Sequence, residues 1–406
     1  MDFLRDPYTF VANRFQEFLT GLGLAPEWVL FISFLTGAFI LATSAMLLVT
    51  MLIWIERKIV ARVQDRFGPN RVGPWGIFQS FADLIKIFTK EMITPTGSDW
   101  LPYNLAPVLA VSAVLTVWAV LPFTVTFYGV NLSVGVLFVI ALGAVGEMGI
   151  ILAGWGSNNK YALLAAFRAI AQLISYGVPL AITMLIPVMF SGSMALNDIV
   201  LAQDVWYIFL APLVALIFFV TNLAEIGRAP FDLVEAESEL VSGFNVEYSG
   251  LKFGMFYVAE FLHALTVSLI FATLFLGGWR GPGAVEYPVL GIVYYTLKTS
   301  LVYFLIILLR ASLPRFRIDQ MMAINWKLLI PLSLSLLMLT ALVYRLVFTQ
   351  PHIVRVLVLL AVNGIVFGVL NLILARVEKR NSRRPLVAEP RPVARAESIS
   401  SNTPVE

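Results

Sequence analysis

Apolar runs about as long as a bilayer is thick recur along this chain, and no other property restricts its fold so strongly. A membrane-spanning helix needs about 20 mostly apolar residues. Runs of that kind fall at about 29–55, 103–126, 132–155, 161–190, 205–226, 251–278, 289–310, 327–348 and 353–375. A backbone in hydrocarbon must satisfy its own N–H and C=O groups, and a helix does so within one segment. The expectation is an all-α polytopic membrane protein with about nine transmembrane helices. Composition agrees: 59% of the residues are hydrophobic and 13% charged, against about 45–50% and about 25% in soluble domains.

The flanking charges give an orientation, because basic residues concentrate on the cytoplasmic side. Arg57, Lys58, Arg62, Arg66, Arg71, Lys86 and Lys90 follow the first run, and Lys160, Arg228, Lys252, Arg310, Arg315, Arg317 and Lys327 fall on the same side. The other side has Arg5, Arg14, Arg280, Arg345 and Arg355. This places the N-terminus outside and the C-terminus in the cytoplasm. The organisation read from this is an external segment (1–28), a transmembrane domain (29–376), and a disordered cytoplasmic tail (377–406) rich in Pro, Arg and Ser. The transmembrane domain includes an amphipathic cytoplasmic loop (56–100) and an acidic one (227–250). The N-terminal MDFLRDPYTFVANRF lacks a basic patch leading into an apolar core, so it does not read as a signal peptide.

There is no cysteine, and there are two histidines. Cysteine-ligated iron–sulfur clusters, disulfides and thiolate metal sites are therefore excluded. Any redox cofactor serving this protein belongs to another chain. No P-loop and no G-x-G-x-x-G fingerprint is present, and the acidic loop lacks the D-x-[DN]-x-[DN]-G order of a calcium loop. Glu260 and His263 have the spacing of half a bundle di-iron site, but such a site needs a second Glu-x-x-His and two further Glu. The other histidine, His352, falls in a loop on the opposite side, so no metal site is expected.

Two cytoplasmic segments stand out. ERKIVARVQDRFGPNRVGPWG opens the loop 56–100, and its GPNRVGP reads as a fixed turn. WGIFQSFADLIKIFTKE follows, with Phe78, Phe81, Leu84, Ile85 and Phe88 at helical spacing and Asp83, Lys86 and Lys90 between them. That is an amphipathic helix, either lying on lipid or walling a cavity at the membrane face. The second segment, RAPFDLVEAESELVSGFNVEYSG, gathers Asp232, Glu235, Glu237, Glu239 and Glu247 just after Glu225.

Ionisable groups inside apolar runs are costly and usually functional. Here they are Glu147, Arg168, Glu260, His263 and Lys298, with Glu225 at a run's end. At about 1.5 Å rise per residue, Glu147, Arg168 and Glu260 lie about 10–13 Å from the cytoplasmic face, and Lys298 about 18 Å. Glu147 with Arg168, and a carboxylate with Lys298, are the expected pairs. They are either fixed ion pairs or parts of a hydrated proton route.

Four segments carry a family resemblance: ERKIVARVQDRFGPNRVGPWGIFQSFADLIKIFTKE, AGWGSNNKYALLAAFRAIAQLISY, RAPFDLVEAESELVSGFNVEYSG and LRASLPRFRIDQMMAINWK. In order, they resemble the motifs of the H-subunit family of bacterial proton-pumping NADH–quinone oxidoreductase, respiratory complex I. The mitochondrial counterpart is subunit 1 of NADH dehydrogenase. The likeness covers about residues 30–350. It implies a multi-pass subunit of the bacterial cytoplasmic membrane that joins the membrane arm to a peripheral arm holding flavin and iron–sulfur clusters. Quinone is then the substrate, and the chain itself holds no flavin, cluster or metal. Partners are the other membrane-arm subunits, the quinone-site and cluster-bearing peripheral subunits, and lipid; nucleic acid is not among them. The family role puts Glu56, Arg57, Arg66, Asp83, Lys86, Arg228 and Asp232 at the quinone chamber. It puts Glu225, Glu235, Glu237, Glu239, Glu247 and Glu260 on the proton path, and the depth of Glu147 in its run adds that residue to it. It also favours the cavity-wall reading of the amphipathic helix.

Three departures follow from the same resemblance. The family pattern AQ-x-x-SYE reads AQLISYG here, so Gly177 stands where a glutamate is expected. Glu147 is the nearest substitute, yet on the helical rise it lies about 12 Å shallower. Val234 replaces the usual proline of PFDLPE, and the ninth run and tail extend past the usual eight-span core. The rival readings are an equivalent subunit of a ferredoxin-, deazaflavin- or hydrogenase-linked complex, a stand-alone ion transporter, and an anchor for the peripheral arm. The transporter reading lacks the internal repeat that such folds often show.

Overall fold

The computed structural model describes residues 6–234 and 237–382. Among the described residues every regular element is helical. In chain order these are α1 (Pro7–Gly21), α2 (Pro26–Val63), α3 (Gln79–Thr89), α4 (Trp100–Trp118), α5 (Gly135–Gly156) and α6 (Lys160–Ser191). Next come the short α7 (Leu196–Ala202) and α8 (Tyr207–Leu210), then α9 (Pro212–Ile226), α10 (Glu237–Leu240) and α11 (Gly250–Phe275). The chain closes with α12 (Pro288–Ser312), α13 (Ile318–Ile324), α14 (Ile330–Val347) and α15 (His352–Ser382). Residues to 363 form one compact unit; residues from 364 form a second, whose described part is the end of α15.

Among the described residues, eight helices are long and apolar enough to cross a membrane. The ninth expected run, 205–226, is shorter and broken. It divides into α8 and α9 at Ala211–Pro212, because proline disfavours helical backbone in the residue before it and offers no N–H of its own. The 15 residues of α9 rise about 22 Å, less than the about 30 Å of a hydrocarbon core. The span expected at 327–348 starts earlier, at Ile318, and passes through a π-helical turn at Asn325–Leu329 that joins α13 to α14. At the other end of the chain, α2 runs for 38 residues, so ERKIVARV belongs to it and not to a loop. Its Arg62 in the last turn complements the negative end of the helix dipole.

Helix–helix contact in lipid relies on small residues that let backbones approach. The glycines of α5 show this: a Cβ at Gly149 would fall 2.9 Å from the Ala106 carbonyl of α4, and one at Gly154 would fall 2.6 Å from the Ala162 carbonyl of α6. The centre of the bundle is α11: 78% of its most apolar window is buried, against 22% for α2. That central helix carries Glu260 and His263.

Candidate functional site

Three helices and the loop after α9 meet at a buried charge cluster. Gly227 ends α9 in the left-handed region (φ 70°), which turns the chain so that Arg228 points inward. Arg228 is 2% exposed. Its Nη1 donates to Glu56 Oε2 of α2 at 2.5 Å, and its Nε donates to Glu260 Oε1 of α11 at 3.0 Å. Arg310, near the end of α12, donates to the other Glu56 oxygen. The Tyr303 hydroxyl, two turns earlier on the same helix, lies 3.4 Å from Glu56 Oε2. The Arg228 guanidinium also sits 4.5 Å from the centre of the Phe261 ring. Two carboxylates and two guanidiniums make the cluster neutral. That balance is what allows it to be buried: an isolated buried ion is very costly, and a well-paired one much less so.

Beside this cluster lies a cavity of about 110 Å³ between α4, α5, α6, α9 and α11. Its wall includes Glu147 from α5, Glu225 from α9, and Glu260 and His263 from α11, with Gln172 and Asn245; among the described residues it has no Lys or Arg. Glu147 accepts a hydrogen bond from the Tyr176 hydroxyl at 3.3 Å. The Nε2 of His263 stands 3.8 Å from Glu225 Oε1. Gly143 makes room for that carboxyl, since a Cβ there would fall 2.8 Å from Glu225 Oε1. Glu260 therefore belongs to both places: one carboxyl oxygen binds Arg228, and the residue lines the cavity.

A family model described as NADH dehydrogenase matches residues 36–341. The chain belongs to the NADH dehydrogenase family. It is similar in sequence to proteins named as H subunits of NADH-quinone oxidoreductase. One from Dehalococcoides mccartyi strain CBDB1 is 48% identical over 293 residues, 72% of this chain and 82% of that protein. One from Geobacillus sp. strain WCH70 is 42% identical over 329 residues, 80% and 98% of the two chains. One from Geobacter metallireducens is 44% identical over 304 residues, 72% and 91%.

In this NADH dehydrogenase family member the residues singled out from the sequence separate into groups. Glu56, Arg228 and Glu260 meet in the buried cluster, and Glu147, Glu225 and Glu260 meet at the cavity. Arg57, Asp83 and Lys86 form a separate exposed set: Arg57 Nη1 lies 2.5 Å and Lys86 Nζ 3.7 Å from the Asp83 carboxylate. Burial raises the Asp83 proton affinity, but the hydrogen bond and charge of Arg57 outweigh it and hold Asp83 below the usual carboxylate range. The apolar stripe that begins at Phe78 and continues along α3 (Phe81, Leu84, Ile85 and Phe88) is exposed. Arg66 bonds to the nearby Gln64. Glu247 accepts from Asn159 Nδ2 at 2.7 Å, which ties the acidic loop to the α5–α6 turn. Asp232 is half-buried in the loop after Arg228. Glu235 lies outside the described residues, as does the side chain of Glu237, whose backbone opens α10.

Two expected pairs are corrected. Arg168 binds Glu239 at 2.6 Å and not Glu147. The hydrogen bond and charge of Arg168 hold Glu239 below the ordinary carboxylate range. Lys298 donates to the carbonyls of Gly278 and Arg280, both at 2.9 Å, and takes no carboxylate among the described residues. Depth along a helix predicts neither pair, because partners are set by which way each residue faces. Arg310, Tyr303 and Tyr176 are the residues that the sequence reading missed. Tyr303 and Arg310 are seven residues apart, and the buried Ile306 and Ile307 lie between them, so they share the inner face of α12. That spacing was the available signal. Tyr176, the neighbour of Gly177 in sequence, is the residue of α6 that hydrogen-bonds Glu147.

Proposed function

We propose that the chain is the membrane-arm H subunit of a proton-pumping NADH–quinone oxidoreductase, that it lines the quinone chamber, and that it links quinone reduction to proton movement. The observation that carries this is the double placement of Glu260, which binds Arg228 and also lines the carboxyl-rich cavity. The names of the relatives supply the complex, the donor and the acceptor class. The absence of cysteine leaves cluster-borne electron transfer to partner subunits. The bacterial cytoplasmic membrane is the location, with the C-terminus on the cytoplasmic side as the basic residues indicate.

The coupling follows from electrostatics. The Arg228 guanidinium is shared by Glu56 and Glu260. Two unit charges about 4 Å apart interact by about 4 kcal/mol at the effective dielectric of a protein. A negative charge that arrives beside Arg228 and Arg310 as quinone is reduced competes for the guanidiniums and weakens the hold of Arg228 on Glu260. Glu260 then takes up a proton on the side that faces the cavity. Glu225 and Glu147 lie on the same wall to receive it and pass it on. The exposed α3 stripe and the Arg57–Asp83 bridge stand at the end of α2 that carries Glu56, where peripheral subunits would complete the chamber.

The test is Glu260→Gln in the assembled complex, in sealed vesicles. Quinone-linked NADH oxidation and proton uptake should both fall, while NADH oxidation by an artificial acceptor stays at the wild-type rate. Unchanged coupled activity would count against the reading.

A further inference from the structure

We propose that His263 carries protons across the cavity between Glu260 and Glu225, one through each ring nitrogen. This rests on the coupling reading above and names the group that makes the cavity continuous.

Geometry singles out the imidazole. Glu260 and His263 are three residues apart on α11 and both line the cavity, so they present to one face of the helix. The Nε2 of the ring is 3.8 Å from Glu225 Oε1, one small rotation or one bridging water from a hydrogen bond. The space around it is roomy, and polar groups interrupt its mainly apolar wall. Gln172 Oε1 and Asn245 Oδ1, both on the cavity wall, are buried without a protein partner among the described residues. A cavity of about 110 Å³ holds several waters, since one needs about 10–15 Å³ by this measure. Gly143 keeps α5 from pressing on the Glu225 carboxyl.

The groups that face His263 are Glu225 from α9, Glu147 and its partner Tyr176 from α5 and α6, Glu260 from its own helix, and Arg228 from the loop after α9. Imidazole is suited to this position because one nitrogen accepts while the other donates. A proton from Glu260 enters at one nitrogen and a proton leaves the other for the Glu225 carboxylate. The ring is neutral before and after, and no electron moves. Rotation of the ring, or exchange with cavity water, restores the starting tautomer.

The experiment compares His263→Gln, His263→Ala and Glu260→Gln in membranes holding the whole complex, with assembly scored by NADH oxidation with an artificial acceptor. His263→Gln keeps the size and hydrogen bonding of the side chain but does not titrate. It should lower coupled quinone reduction by at least about tenfold at neutral pH. His263→Ala should lose a similar factor and regain part of it on adding imidazole. The weakly basic 4-nitroimidazole should restore nothing. Wild-type pumping in His263→Gln, with Glu260→Gln impaired, overturns the relay and leaves the coupling reading standing. Wild-type pumping in both variants overturns the two together. Loss in His263→Ala that the two imidazoles restore equally, or that neither restores, reduces His263 to a packing residue and also overturns the relay.

Discussion

The two polar sites inside this bundle are built on opposite rules. Around Arg228 each carboxylate has a guanidinium, and the charges sum to zero. Around the cavity, three carboxyls and one imidazole share a wall without a cation among the described residues. The first arrangement resists change, because removing a partner leaves a buried ion alone. The second invites change, because carboxyls that share a wall without a cation of their own there can exchange protons through water. Glu260 sits on the boundary and belongs to both. A rigid site joined to a labile one by a single carboxylate is a workable way to turn a local charge event into a proton step.

That contrast can be broken most severely at Arg228. Arg228→Ala leaves Glu260 without a cation and Glu56 with Arg310 alone, and should cost about 3–5 kcal/mol. The expected result is loss of assembled complex in membranes, visible by native gel. At the cavity the order reverses. Glu225→Gln or Glu147→Gln should leave assembly intact yet reduce coupled quinone reduction by about a hundredfold, the lower range for a positioned proton-transfer group. Wild-type turnover in both variants would remove the functional half of the comparison.

Gly143→Ala is a finer probe. Its Cβ would meet the Glu225 carboxyl, which is the far end of a flexible side chain. Folding should be barely affected, while displacement of the carboxyl lowers the coupled rate by about tenfold or less. The smallest effect belongs to the exposed bridge. Asp83→Asn should change stability by less than about 1 kcal/mol, as surface pairs do. Asp83 is held below its ordinary value of 3.8. The bridge therefore contributes above that value and is lost as pH falls through the lower folded-state value. Thermal unfolding of wild type and Asp83→Asn should differ at neutral pH and converge in strong acid.

Much of this fold could be read from hydropathy, because a bilayer sets the length of every spanning segment. The places where that reading fell short have local causes. Pro212 divides the fifth run, and α2 continues past the apolar region because its charged end still favours helix. The site was less legible. Rise per residue puts Glu147 and Arg168 at matching depths, but α6 turns Arg168 toward Glu239. Gly177 shows the same limit from the other side. A Cβ there would meet nothing within 4 Å, so the space is open, and the hydrogen bond to Glu147 comes from the neighbouring Tyr176.

Local composition and order along the chain are enough to establish a polytopic helical membrane protein without thiolate cofactors. They also establish which carboxylates lie inside apolar runs and which family the motifs resemble. Which acids have a cation and which do not is fixed only when the helices pack. That depends on the rotation of each helix about its axis and on close backbone approach at residues such as Gly143 and Gly149. Those are properties of contact between segments far apart in sequence, which no single segment encodes.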